Sequence, residues 1–292
     1  MKKIIAIALL AACLAPALLA RDIEPVVSVA WLEQNLSDAR LVVMDMRKVE
    51  DYKVSHVPGA VNVVGTAVYV KKGDINNEVP EMDDLSDLLS DAGVTADSLV
   101  VVVETDAARF AWATRVAWTL KYAGLENVAV LDGGYAAWTK AGKAVQTDVV
   151  RKKGSYEAKA VAGYFADKAA VLKAVGAQVL DNRSYDTYFG LAKQAFVAQA
   201  GHFPGAYSLP NSWITNAEGL VKPKAELAAM AAKLGLDPAI ETFTYCDSGV
   251  LCTTWWWVLS EMLGWNSVRS FDGSSQVMAA DQNVRYITQA WR

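Results

Sequence analysis

Histidine and cysteine are scarce in this chain of 292 residues: His56 and His202 are the only histidines, and Cys13, Cys246 and Cys252 the only cysteines. So few imidazole and thiol ligands, spread so widely, exclude a closed zinc centre, and no metal is expected. They also exclude a fold held mainly by disulfides. Beyond the N-terminus no stretch supplies the ~20 apolar residues that a membrane span requires. Basic residues are not in excess either. The formal charge of −4, from 28 Lys and Arg against 32 Asp and Glu, gives no reason to expect nucleic acid or an anionic membrane as partner. No cofactor is expected.

What is present points to a folded protein. Apolar residues make up 53% and charged ones 21%, a globular balance, and the length suits two domains with a core each. Residues 1–20 read as a signal peptide: Lys2 and Lys3, an apolar run over 4–10, then small residues to Ala20. Cleavage after Ala20 or Ala17 would export the chain, with a bacterial periplasm as the expected destination. Leu10-Ala11-Ala12-Cys13 also resembles a lipoprotein cleavage box, the less favoured alternative. Removal of Cys13 leaves Cys246 and Cys252, which in an oxidising compartment could form one local disulfide.

From Ser28 onward strands alternate with helices. The pattern predicts strands at 41–45, 99–103 and 128–131, and helices at 29–36, 85–92, 107–123 and 135–141. Such alternation argues for an α/β fold with mostly parallel sheets flanked by helices. Residues 21–145 form a first domain, 146–160 a polar linker and 161–292 a second domain. Arg151-Lys152-Lys153 reads as a solvated linker face. The second half repeats the first: Leu180-Asp181-Asn182-Arg183 echoes Met44-Asp45-Met46-Arg47, and Gly201-His202-Phe203-Pro204-Gly205-Ala206 echoes Ser55-His56-Val57-Pro58-Gly59-Ala60. Val268-Arg269-Ser270-Phe271-Asp272-Gly273 likewise echoes Val128-Ala129-Val130-Leu131-Asp132-Gly133. A period near 140 residues is too long for a solenoid unit and means a duplicated domain.

The chemistry concentrates in Tyr245-Cys246-Asp247-Ser248-Gly249-Val250-Leu251-Cys252. A β-prone run enters this loop and an apolar helical run leaves it, so several backbone N–H groups turn inward beside a helix N-terminus. That setting favours the thiolate of a cysteine placed first in the loop. The loop lacks the Cys-x5-Arg spacing of a phosphate-binding phosphatase loop, because its sixth residue after Cys246 is Cys252. A binding module in which Cys246 and Cys252 toggle between dithiol and disulfide is the competing reading.

Together, the two Asp-x-Arg and two His-x-Pro-Gly-Ala motifs, the strand-end Cys loop and Leu131-Asp132-Gly133-Gly134-Tyr135-Ala136-Ala137-Trp138 resemble the rhodanese-type sulfurtransferases in their tandem form. The resemblance covers nearly all of the chain after residue 20. It implies two rhodanese-like domains, the second catalytic. Cys246 would take a sulfane sulfur from a small anionic donor such as thiosulfate or 3-mercaptopyruvate and pass it, as a persulfide, to a thiol or cyanide. An offset of 140 residues places Asp106 opposite Cys246, which leaves the first domain without a nucleophile. Ser248-Gly249-Val250 matches the mercaptopyruvate branch; Ser248 either binds substrate or serves the turn.

Two departures leave the donor open. Asp247 stands where thiosulfate users tend to carry Arg, and Thr187 stands where a substrate-binding Arg is usual. Arg109 or Arg115 of the first domain are the candidates to restore positive charge. Asp181 and Arg183 are expected to brace the loop, and Arg47 its counterpart. Both histidines fit turn packing, with His56 as a candidate helper to the site. Trp255-Trp256-Trp257 fit core and inter-domain packing, since helical neighbours point about 100° apart.

Overall fold

The computed structural model describes residues 21–290. The proposed signal peptide and Cys13 lie outside the described residues. Among the described residues the strands are β1 (Val26–Val27), β2 (Leu41–Asp45), β3 (Val61–Asn62), β4 (Val70–Lys72), β5 (Ile75–Glu78), β6 (Leu99–Val103) and β7 (Val128–Leu131) in the first half. The second half adds β8 (Phe165–Ala166), β9 (Gln178–Asp181), β10 (Tyr207–Ser208), β11 (Thr242–Tyr245) and β12 (Val268–Phe271). Two five-stranded sheets result, ordered β1-β7-β6-β2-β3 and β8-β12-β11-β9-β10, with every pairing parallel. The central strands are continuous apolar runs such as Leu99–Val103, buried at every position, as a strand covered on both faces must be. The strand order of the two sheets is the same, as duplication demands.

The inner faces of the two sheets share one apolar core. The helix Phe110–Tyr122 packs against the helix that begins at Cys252, and both are buried nearly all round. A helix buried on nearly every side needs more than a single sheet to cover it. The outer faces carry separate clusters, one around Leu32, Tyr52 and Trp138 and one around Phe243, Tyr245 and Met278. After Trp256 the second helix widens into a π turn, Trp257–Met262. The three consecutive tryptophans are fully buried and their indole N–H groups donate in three directions: Trp255 to Pro210 O, Trp256 to Val268 O, and Trp257 across the interface to Pro25 O.

Residues 146–161 are less free than a solvated linker would be. Gly154 N–H bonds to Ser90 O, Tyr156 N–H to Ser90 Oγ, Ala158 N–H to Ser86 Oγ, and Lys159 and Val161 N–H to Ala123 and Tyr122 carbonyls. Lys152, expected in solvent, reaches Leu41 O at 3.2 Å. The crossing is a strap laid along the first half, because an extended chain passing a helix end satisfies that end's open polar groups.

Reciprocal contacts join the halves. Asp132 at the end of β7 accepts from Val221 N–H of the second half at 2.9 Å, and Asp272 at the end of β12 accepts from Val79 N–H of the first at 3.1 Å.

Candidate active site

Parallel strands leave their loops at the carboxyl edge, and β11 ends at the interface between the halves. Cys246 follows Tyr245 there, and Cys246, Asp247, Ser248, Val250 and Leu251 floor an open cleft of about 470 Å³. Asn76 and Asn77 of the β4–β5 hairpin and Trp112 wall it from the first half, and Gln194 and Phe196 from the second. The loop therefore has the place expected of it, and the opposite half builds much of the wall.

The loop is fixed from three sides. Ser274 Oγ accepts from the N–H groups of Cys246 and Gly249, both at 3.1 Å, and lies 3.9 Å from Cys246 Sγ. The backbone of Ser274 is left-handed, φ +48°, a conformation costly for a residue with a Cβ. Arg115, fully buried and contributed by the first half, donates to Gly249 O at 2.8 Å, to Asn77 O and to the Asp272 carboxylate. Gly249 has φ +80°, and a Cβ there would come within 2.7 Å of Asp272 and 2.9 Å of Arg115; the close approach requires glycine. Gln276 clamps the hairpin by accepting from Asn76 N–H and donating to Asn76 O. Asn77 donates to Ser248 Oγ at 2.9 Å.

Cys246 is buried at the base of the cleft, and burial alone would raise its pKa. The Cys252 thiol, 3.7 Å away, and the N–H groups of Cys252 and Ser248 outweigh both that burial and the Asp247 charge, bringing Cys246 down to about 7. Cys252 is pushed well above the ordinary thiol range by burial and by sitting against Cys246. Near neutral pH a substantial fraction of Cys246 is therefore thiolate, accepting from the Cys252 thiol. A thiolate is the nucleophilic form of cysteine. The two cysteines are free, not bridged.

Asp181 and Arg183 form a buried bidentate pair, 2.9 and 2.6 Å, and Arg183 also donates to Gly201 O. Tyr245 OH donates to Asp181, and Arg183 stands 3.5 Å from the Asp247 carboxylate. Burial raises the pKa of Asp247 and Arg183 opposes that rise. Arg183 thus braces the loop from behind. Arg47 makes the matching pair with Asp45 in the first half and donates to Ser55 O.

Some expected residues are not gathered here. His56 is stacked on Tyr52 at 3.8 Å with Nδ1 on Tyr52 O, inside the first half and away from the cleft; it packs a turn, as His202 does against Tyr188. Arg115 pairs with Asp272 and Arg109 with Glu104 over Trp112; neither lines the cleft. Thr187 closes a short helix against Ser184. Among the described residues Asp247 is the one acidic or basic side chain in the lining.

The counterpart of Cys246 is Glu104, not Asp106. Asp45 pairs with Val103 in register and Asp181 with Tyr245, and the next residues are Glu104 and Cys246. The bonds Tyr135 N–H to Glu104 O and Ser275 N–H to Cys246 O repeat the match. A constant offset fails because the first half carries two more residues between strand and helix end, taken up by the turn Ala107–Arg109. Sequence reasoning also missed Ser274, Gln276 and the Asn76-Asn77 hairpin. Ser274 had a signal: it replaces Gly134 within the repeated Asp-Gly motif.

The rhodanese-like domain family model matches the chain twice, at residues 28–141 and 166–281. A protein of Mycolicibacterium smegmatis described as "Putative thiosulfate sulfurtransferase" is 31% identical over 261 residues, spanning 86% of this chain and 93% of its own. One of Haloferax volcanii with the same description is 31% identical over 274 residues, with 87% and 92% covered. In fold the chain is similar to the crystal structure of SseA from Escherichia coli, described among the 3-mercaptopyruvate sulfotransferases. That likeness has a TM-score of 0.76 at 23% identity, and covers 86% of this chain and 99% of the other.

Proposed function

Because the chain belongs to the rhodanese-like family, with two domains of that kind, we propose that it is a sulfurtransferase working through a Cys246 persulfide. Thiosulfate and 3-mercaptopyruvate are the candidate donors, and a thiol or cyanide the acceptor. The carrying observation is the low-pKa sulfur of Cys246 at the floor of an open cleft, held by Ser274 and by loop N–H groups. The thiolate attacks the sulfane sulfur of thiosulfate or the thiol sulfur of mercaptopyruvate. The remaining fragment leaves with the bonding electrons, as sulfite or as the pyruvate enolate, which takes up the thiol proton. The outer sulfur stays on Cys246 as a persulfide until a nucleophilic acceptor removes it.

The cleft wall favours a donor that does not carry two negative charges. Its polar groups are the amides of Asn76, Asn77 and Gln194 and the hydroxyl of Ser248, and its one charge is negative. Mercaptopyruvate, a monoanion with a carbonyl for these amides to bond, fits better than the thiosulfate dianion. Sulfite release from thiosulfate and pyruvate release from mercaptopyruvate, measured side by side, test this. Mercaptopyruvate turnover should exceed thiosulfate turnover by about one to three decades in kcat/KM. Equal or reversed rates would defeat the donor assignment. The charged, apolar and small-residue run of residues 1–20 supports export to a periplasm, and cell fractionation tests it.

A further inference from the structure

Cys252 supports the Cys246 thiolate, and its sulfur also stands in contact with it. The two Sγ atoms are 3.7 Å apart. Cys252 is fully buried and absent from the cleft lining; its other neighbours are Ser270 Oγ at 3.4 Å, toward the sheet, and Ser274 Oγ at 4.0 Å. It therefore stands behind Cys246 as seen from the cleft. The open space bordering Cys246 is the cleft, so an outer sulfur carried on Cys246 would have its room there and not on the Cys252 side. Displacement at sulfur runs with the attacking and leaving atoms on opposite sides, which this placement suits.

We propose, resting on the persulfide reading above, that Cys252 is a resolving thiol that discharges the Cys246 persulfide as hydrosulfide. Cys252 Sγ attacks Cys246 Sγ, forming the Cys246–Cys252 disulfide and breaking the bond between Cys246 Sγ and the outer sulfur. The bonding electrons and the Cys252 proton leave with that sulfur as HS⁻ into the cleft. A dithiol reductant then attacks the disulfide, returns both thiols and is itself oxidised to a disulfide. Over the cycle one dithiol is oxidised and the donor is split into hydrosulfide and its remaining fragment, sulfite from thiosulfate or pyruvate from mercaptopyruvate. The chain then has two exits for sulfur, transfer to an external acceptor and internal release. A thiol held within contact distance acts at a high effective concentration, so without an acceptor the second exit prevails.

The reduced chain, kept free of oxygen and added thiol, is given one equivalent of 3-mercaptopyruvate or thiosulfate, and intact mass and free sulfide are followed together. The wild-type chain should gain one sulfur briefly, then settle two hydrogens below its starting mass with one sulfide released per chain. Dithiothreitol should restore the starting mass. Cys252→Ser and Cys252→Ala should hold the added sulfur at least about ten-fold longer. The proposal is overturned if wild type and variants hold the sulfur equally long, or if sulfide appears without the loss of two hydrogens. It is overturned too if variants that fold, by circular dichroism, never load. If no form of the chain gains sulfur from either donor, the sulfurtransferase reading itself falls, a result distinct from the others.

Discussion

In the second half β11 ends at Tyr245 and Cys246 comes next; in the first, β6 ends at Val103 and Glu104 comes next. Both residues are buried, both offer their carbonyl to the turn after the last inner strand, and both lie beside an Asp-Gly turn that contacts the other half. The backbone frame is therefore common to the two. Side chains make the difference. Where Ser274 turns its hydroxyl to the Cys246 and Gly249 amides, the first half has Gly134, whose Cβ would meet Glu104 O at 2.6 Å. Glu104, its pKa raised by burial, is paired within its own half to Arg109, while Cys246 sits in a loop held by Arg115 from the opposite half. A nucleophile thus needs more than a cysteine at the end of the strand. It needs a hydroxyl to tie down the loop amides and a buried cation to hold the loop's carbonyl.

The comparison can be broken most severely at the nucleophile. Cys246→Ser should abolish sulfur uptake, and Cys246→Ser combined with Glu104→Cys should not restore it, because the first half lacks the Ser274 hydroxyl. Any uptake by the double variant above the single-variant background, read by intact mass, would show that the frame alone suffices. Next in size is Arg115→Met. It leaves the Asp272 carboxylate buried without its partner and should cost about 3–5 kcal/mol in a urea melt, whereas Arg115→Met with Asp272→Asn should recover much of that. Equal losses in both would mean that packing, not the ion pair, ties the halves together.

Ser274→Gly copies the first half into the second. It removes the acceptor of two buried amides, worth about 1–3 kcal/mol, and relieves a strained backbone worth about 1–2 kcal/mol. Stability should change little, while kcat falls by about ten-fold with KM nearly unchanged. A fall in stability with kcat intact would assign Ser274 to the fold alone.

The smallest effect concerns Asp247. The proposed mechanism runs through the Cys246 thiolate, so kcat/KM should rise with pH through about 7. The Asp247 charge raises the Cys246 pKa; Asp247→Asn should therefore move that acid limb to lower pH. The same change should lift thiosulfate kcat/KM by about three- to ten-fold, more at low salt. Asn is preferred to Arg because Arg183 lies 3.5 Å from the native carboxylate and would repel a second guanidinium. An acid limb that stays in place would separate Asp247 from the sulfur.

Much of this was legible in the sequence. Runs such as Leu99–Val103 carry their own burial pattern, and repeated Asp-x-Arg and Asp-Gly motifs disclose the duplication before any coordinates. Arg183 and the tryptophans followed from the cost of leaving polar groups unpaired and from helical geometry. What escaped notice depends on contacts between distant segments. Asn77 and Ser248 meet across 171 positions and Arg115 and Asp272 across 157, and no local period encodes either. Glu104 was missed for a different reason: a two-residue difference in loop length shifts the alignment of the copies, and only strand register corrects it.

The hairpin β4–β5 has an evolutionary consequence. It belongs to the half without a nucleophile, yet it supplies Asn76 and Asn77 to the cleft. Substitutions at its tip would alter the cleft wall and, through the bond from Asn77 to Ser248, one contact of the loop that carries Cys246. Duplication has in this way let one copy carry Cys246 while the other, through this hairpin, supplies part of the wall. On the proposed reading, a change in the hairpin would test a new substrate preference against an unaltered cysteine.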